Sequence, residues 1–165
     1  MKQLAQFFIS LIILLIFLPL GVAADPLHEA AAKGDFSAVT AALKSGADVN
    51  AYDKNGKTAL FVAAEEDQAA IISLLAKHGA EVNAYKKSTY PNQAAAIHTA
   101  VKRNNLKAIQ ALADAGADLT LFSYELGAPL HIATIDGLTD AASLLRYFAL
   151  WTQISLKRLQ PSTYL

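Results

Sequence analysis

The chain has 165 residues, with 14 lysines and arginines against 14 aspartates and glutamates and no cysteine. That balance removes the electrostatic case for nucleic acid or anionic membranes as partners. Without cysteine, neither a disulfide framework nor a lipid-attachment cysteine is available.

The N-terminal stretch "MKQLAQFFISLIILLIFLPLGVAAD" starts with a lysine and continues as an apolar run from Phe7 to Leu18, followed by Pro19, Gly21 and Val-Ala-Ala. This is the layout of a secretory signal, with a short positive start, a 7–15-residue apolar core and small residues at the cut. Residues 1–24 are therefore expected to be a signal peptide, cleaved before Ala24 or Asp25. The alternative is a retained anchor, since Leu4 to Ala24 is about long enough to span a membrane. Pro19 and Gly21 break the run near the proposed cut, and no linker separates it from the next helix. Losing Lys2 with the signal leaves 13 positive against 14 negative residues. A cysteine-free product without an Asn-x-Ser/Thr acceptor suits a bacterial periplasm.

From residue 25 the chain repeats itself. Leu27, Leu60, Ile97 and Leu130 recur at intervals of 33, 37 and 33, and Gly46-Ala47, Gly79-Ala80 and Gly116-Ala117 at 33 and 37. "PLHEAAAKGD", "ALFVAAEEDQ", "AIHTAVKRNN" and "PLHIATIDGL" are the same segment four times, each followed by a second segment with helical apolar spacing. Asp25 and Thr58 suit a helix N-cap, with Ala95 and Ala128 at the same place, and Pro26 and Pro129 suit a first turn. The alanines allow two helices to approach closely. The glycine of Gly-Ala fits a left-handed C-cap, and "DVNAYDKNGKTAL" turns back through Asn-Gly.

Helix, turn, helix and hairpin at this period resemble the ankyrin repeat. "DPLHEAA" and "APLHIAT" are similar to that family's Thr-Pro-Leu-His-x-Ala-Ala pattern, and Gly46 to Ala51 to its Gly-Ala-Asp-Val-Asn-Ala ending. The resemblance covers about residues 25–150, in repeats near 25–54, 55–87, 88–122 and 123–150. It implies an all-α solenoid of about four helix-turn-helix repeats with short β-hairpin fingers. It further implies a non-catalytic module binding a partner protein through hairpin tips and a concave face. The chain resembles the small periplasmic ankyrin-repeat proteins of Gram-negative bacteria, with a secreted effector or inhibitor as the second reading. Only the second repeat keeps the motif threonine, Thr58, and Phe61 replaces its histidine. The fourth has Ala149-Leu150 in place of Gly-Ala and runs on as "WTQISLKRLQPSTYL", with Leu145, Phe148, Trp151 and Ile154 at helical spacing. Residues 151–165 are thus expected to be a helical cap or, alternatively, an apolar dimer face on an otherwise monomeric protein.

The resemblance makes His28, His98 and His131, at one repeat position, structural residues. "HEAAA" lacks the fifth-place histidine of a zinc-protease helix. No nucleophile elbow or phosphate loop occurs, and no carboxylate pair lies in an apolar context that tunes acid–base chemistry. The expectation is no enzyme, no catalytic residue, no metal and no cofactor. Lys33, Glu66, Arg103 and Asp136 fall in register at the ends of the first helices and are expected to form an alternating charge ladder. Each exposed pair contributes only about 0–1 kcal/mol.

The candidate partner-binding residues lie on the fingers. Tyr52, Tyr85 and Phe122 share one repeat position, with Tyr124 next to the last. They form either a contact stripe or a set of rings that stiffen the fingers. The third copy carries four extra residues in "YKKSTYPNQ", which adds Lys86, Lys87 and Tyr90. Such an insertion is either a site or tolerated length.

Overall fold

A computed structural model of the chain describes residues 26–88 and 93–159, with side chains described as far as Trp151. The proposed signal and Tyr90 lie outside the described residues. Among those residues there are eight helices in four pairs: α1 Pro26–Lys33 and α2 Phe36–Lys44; α3 Ala59–Glu65 and α4 Ala69–Lys77; α5 Ala96–Lys102 and α6 Leu106–Asp114; α7 Pro129–Ile135 and α8 Thr139–Leu159. The first helices of the pairs pack on one another as an inner layer, and the second helices α2, α4, α6 and α8 form an outer layer. The fold is the expected all-α solenoid. The fingers between pairs hold only isolated bridges, Tyr52 with Thr58, Tyr85 with Ala95 and Ser123 with Gly127.

Each motif position has its physical task. Thr58 caps α3, its Oγ1 accepting from the Phe61 amide at 3.2 Å. The third pair has Ala95 there, and the imidazole takes over part of the work: His98 Nδ1 accepts from the Ala95 amide at 3.1 Å. Gly46, Gly79 and Gly116 adopt φ near +87 beyond the outer helices, as a left-handed C-cap requires. Leu27, Leu60 and Ile97 are sealed at 0–1% exposure between neighbouring pairs, each burial contributing about 1.5–3 kcal/mol. Buried Ala30, Ala31, Ala63, Ala64 and Ala100 bring the layers together.

Polar straps fix the register between pairs. Asn50 Oδ1 accepts from the Glu81 amide at 2.8 Å while its Nδ2 donates to Gly79 O. Asn83 Oδ1 repeats the first of these bonds with the Asp118 amide. In the other direction, Asn105 Nδ2 donates to Ala64 O and Glu65 O at 2.9 Å, and Asp67 accepts from the Ala108 amide.

The expected charge ladder is corrected. Lys33 turns to Glu29 within its own helix, at 2.6 Å. The rung that forms is Arg103 to Glu65 and Glu66, at 3.5 and 3.6 Å, and Glu65 also holds Lys57 at 2.5 Å. The i,i+4 neighbour is simply closer for a lysine than a group one repeat away. Among the described residues, Asp136 is in no ion pair.

The fourth pair ends differently. With Ala149 and Leu150 in place of Gly-Ala, nothing stops the outer helix, and α8 runs unbroken for 21 residues, about 31 Å.

Candidate functional site

The first finger is organised by Asp53. Its carboxylate accepts from the Asn55 and Lys57 amides at 2.8 Å, its carbonyl accepts from Gly56, and its amide donates to Lys57 O. Burial works against the charged carboxyl, but these amides bring it below its ordinary value. Gly56 takes φ +73 whereas Asn55 keeps a negative φ, so this is a three-residue loop ending in a left-handed glycine, not a two-residue Asn-Gly turn.

The fingers are tied to one another. Lys87 N donates to Gly56 O at 2.7 Å, and the Lys87 ammonium lies 3.9 Å above the Tyr52 ring. At the next junction, Tyr85 donates its hydroxyl to Phe122 O at 3.0 Å, and the buried Ser123 hydroxyl donates to Gln93 O. The inserted third copy is closed at its neck by Lys86 N donating to Ala94 O at 2.8 Å, so the extra residues leave the helices untouched.

These contacts divide the aromatic row. Tyr52 and Tyr85 are half-buried, each engaged by the following finger. Phe122 and Tyr124 are 58% and 75% exposed, their rings edge to face at 6.2 Å. Of the two readings, stiffening fits Tyr52 and Tyr85, each engaged by the following finger, whereas Phe122 with Tyr124 presents exposed aromatic surface. Lys87 is committed to Tyr52, and Lys86 lines the groove described next.

Between fingers and inner helices runs a groove made of two adjoining cavities. One, of about 470 Å³, is lined by Lys57, Phe61, Glu65, Lys86, Thr99 and Arg103 among others. The second, of about 650 Å³, lies beneath Phe122 and Tyr124 and includes His131, Ile132, Ile135 and Asp136. Lys102, Glu125 and Leu126 line both. The walls are apolar at the aromatic end and carry both charge signs, which suits a protein surface better than a polyanion. A larger open groove of about 790 Å³ crosses the outer helices between α4, α6 and α8; Ala, Ser, Leu and Asp make up most of its lining, and no aromatic lines it.

The sequence pointed to the hairpin tips and the concave face, but the residues it singled out all lie on the fingers. The floor is built by Lys102, Arg103, Ile135 and His131, of which Arg103 is expected from the sequence only as a ladder charge and His131 only as a structural histidine. The signal was present in their register, because the ends of the inner helices and the fingers fall on the same side of a stacked repeat.

The histidines have two different fates. His28 Nε2 lies 3.1 Å from Ala51 O and 3.0 Å from Lys57 O, and the fully buried His98 donates from Nε2 to Leu121 O at 2.8 Å. Burial holds the His98 imidazole below its ordinary pKa, and its acceptor role at Nδ1 fits the neutral form. His131 stands exposed against Gly127. Among the described residues no group of His, Asp and Glu is arranged to hold a metal ion.

The chain matches the family model described as Ankyrin repeats (3 copies) over residues 10–86 and 27–123. It belongs to the ankyrin-repeat family. It is also 35% identical over 109 residues to the Nuclear factor NF-kappa-B p105 subunit of Gallus gallus, an overlap that covers 66% of this chain and 11% of that protein. Ankyrin repeats are protein–protein interaction modules, and the fold is generally non-catalytic. The groove and the aromatic pair lie on the inner face that such a stack leaves open.

Proposed function

We propose that this chain is an exported, non-catalytic ankyrin module that grips a partner protein along the groove between its fingers and inner helices, with Phe122 and Tyr124 as the aromatic anchor. The observation that carries this reading is the continuity of the two cavities through Lys102, Glu125 and Leu126, directly beneath two exposed rings. Aromatic anchors beside mixed charge are the composition of binding hot spots. Export rests on the signal-like layout of residues 1–24, and the destination that fits is the periplasm of a Gram-negative cell, with secretion as the alternative. The working unit is a monomer. Thr134 and Arg146 place polar side chains where earlier pairs have Ala64 or Val101 and Ala76 or Ala113, and a dimer through the tail is the alternative. Exposed Tyr147, Leu150 and Trp151 make a concentration series the check on that point.

Two measurements test the reading. Intact mass of the purified protein reports cleavage before Ala24 or Asp25, and a retained N-terminus sinks the export proposal in its cleaved form. Cross-linking capture with wild type, Phe122→Ala/Tyr124→Ala and Lys102→Glu proteins tests the groove; equal capture of the same partner by all three rejects it.

A further inference from the structure

Two departures from the repeat meet in space. The second pair carries Phe61 where the others carry His28, His98 and His131, and the finger after it is the long one, with a repeat interval of 37 residues against 33. His28 reaches the carbonyls of Ala51 and Lys57 in its following finger, and His98 reaches that of Leu121. A phenyl ring offers no such donor, so the long finger lacks that tie to the inner helix beneath it. It is held from the sides instead: Lys87 N donates to Gly56 O, and the Ser123 hydroxyl donates to Gln93 O. The cavity of about 470 Å³ opens in that gap, with Phe61 and Thr99 on the inner helices and Lys86, Gln93 and Ala94 on the long finger.

The charges around this cavity do not cancel. Lys57, Lys86, Lys102 and Arg103 line it against Glu65 and Glu125, four cations to two carboxylates. Glu65 is already committed: its side chain is only 13% exposed, and its two oxygens meet Lys57 at 2.5 Å and Arg103 at 3.5 Å. Lys86 and Lys102 are in no ion pair among the described residues, although Lys86 is half-buried. A half-buried ammonium without a counter-charge carries a desolvation cost that an incoming carboxylate relieves. Glu125, exposed on the last finger, offsets only one of the two lysines. Lys102 also lines the cavity beneath Phe122 and Tyr124, so the groove passes from a cationic end to an aromatic one.

We propose that the smaller cavity receives an acidic segment of the partner polypeptide. A glutamate or aspartate carboxylate of that segment is met by Lys86 and Lys102, and an apolar residue of the same segment lies under Phe122 and Tyr124. Charge complementarity selects this occupant over a basic segment, and the adjoining aromatic end selects an acidic peptide over a bare polyanion. The proposal rests on the groove reading above and adds the chemistry that the partner must carry.

The probe is a short fluorescein-labelled peptide of glutamate and glycine with one tryptophan, titrated into the purified protein with anisotropy as readout. It should bind with a dissociation constant below about 1 mM, the weak limit of specific binding, and its glutamine counterpart at least about 10-fold more weakly. Lys86→Glu/Lys102→Glu should weaken the glutamate peptide at least about 10-fold, the loss of two charge-assisted hydrogen bonds. Its melting temperature should stay that of wild type, because neither lysine is in an ion pair among the described residues. Lys77→Glu/Lys107→Glu, the same charge change on the outer helices α4 and α6, should bind as wild type does. Equal binding of the glutamate and glutamine peptides overturns the proposal, as do equal losses from the two double variants. If the glutamate peptide fails to bind while Phe122→Ala/Tyr124→Ala still abolishes partner capture, the acidic segment is rejected and the groove reading stands.

Discussion

His98 donates from Nε2 to Leu121 O at 2.8 Å while its other nitrogen accepts from the Ala95 amide at 3.1 Å, so one buried ring joins the start of α5 to the finger that follows the same repeat. Replacing His98 with alanine removes two hydrogen bonds and leaves buried backbone groups without partners. The expected loss is about 2–4 kcal/mol. His131→Ala, at the same repeat position but exposed, should stay within about 0.5 kcal/mol of wild type. Urea denaturation of the two variants checks the contrast, and equal losses contradict it.

The same ring makes stability depend on pH. Burial keeps the folded His98 pKa below the unfolded one, so in the window between them the unfolded chain carries more protons and stability rises with pH. Full stability is expected above about pH 6.5, the ordinary histidine value, with a decline as the pH falls from there toward the folded pKa. The denaturation midpoint followed through that window should fall in wild type and fall less steeply in His98→Ala.

Gly56 and Gly46 both adopt positive φ, yet only one is crowded. A Cβ on Gly56 would meet Lys87 O at 2.0 Å, whereas nothing lies within 4 Å of one on Gly46. Gly46→Ala should cost about 1–2 kcal/mol for its backbone conformation alone. Gly56→Ala should cost more and should also release the second finger, visible as faster amide exchange at Lys87.

The aromatic residues should separate by role. Tyr85→Phe loses the hydroxyl bond to Phe122 O and should cost about 0.5–1.5 kcal/mol. Phe122→Ala removes a ring that is 58% exposed and should leave stability within about 0.5 kcal/mol. Thermal melts that reverse this order would reverse the assignment of stiffening and contact roles.

Glu65 touches both Lys57 and Arg103 and is the less exposed of the two glutamates; Glu66 reaches Arg103 alone, from an exposed position. Glu65→Gln is expected to destabilise more than Glu66→Gln, and the latter should fall in the 0–1 kcal/mol range of exposed pairs. Denaturation of the two variants at low and high salt checks both the order and the screening.

The repeat was legible because its signals are local and periodic. Gly46, Gly79 and Gly116 each need a left-handed turn, and Leu27, Leu60 and Ile97 each need burial, so the same chemistry returns at the same interval. The site was legible only in part. Tyr52, Tyr85 and Phe122 look alike in register, but what separates them is their neighbour: a lysine of the following finger over the first, a carbonyl of the following finger on the second, and at the third an exposed ring against Tyr124 of its own finger. That depends on a neighbour 35 or 37 residues away and on α8 continuing where a turn was due. The groove floor was hidden for the same reason, since Lys102 and Ile135 become neighbours of Tyr124 only once the pairs stack.

The most direct test of the groove is the dissociation constant of the captured partner, measured by calorimetry for three proteins. Relative to wild type, Phe122→Ala/Tyr124→Ala should bind at least about 10-fold more weakly, a loss of about 1.4 kcal/mol or more, with an unchanged melting temperature. Gln110→Lys, in the outer groove, should bind as wild type does. A partner that ignores the aromatic pair and is lost on Gln110→Lys would place the interface on the outer helices and contradict the account.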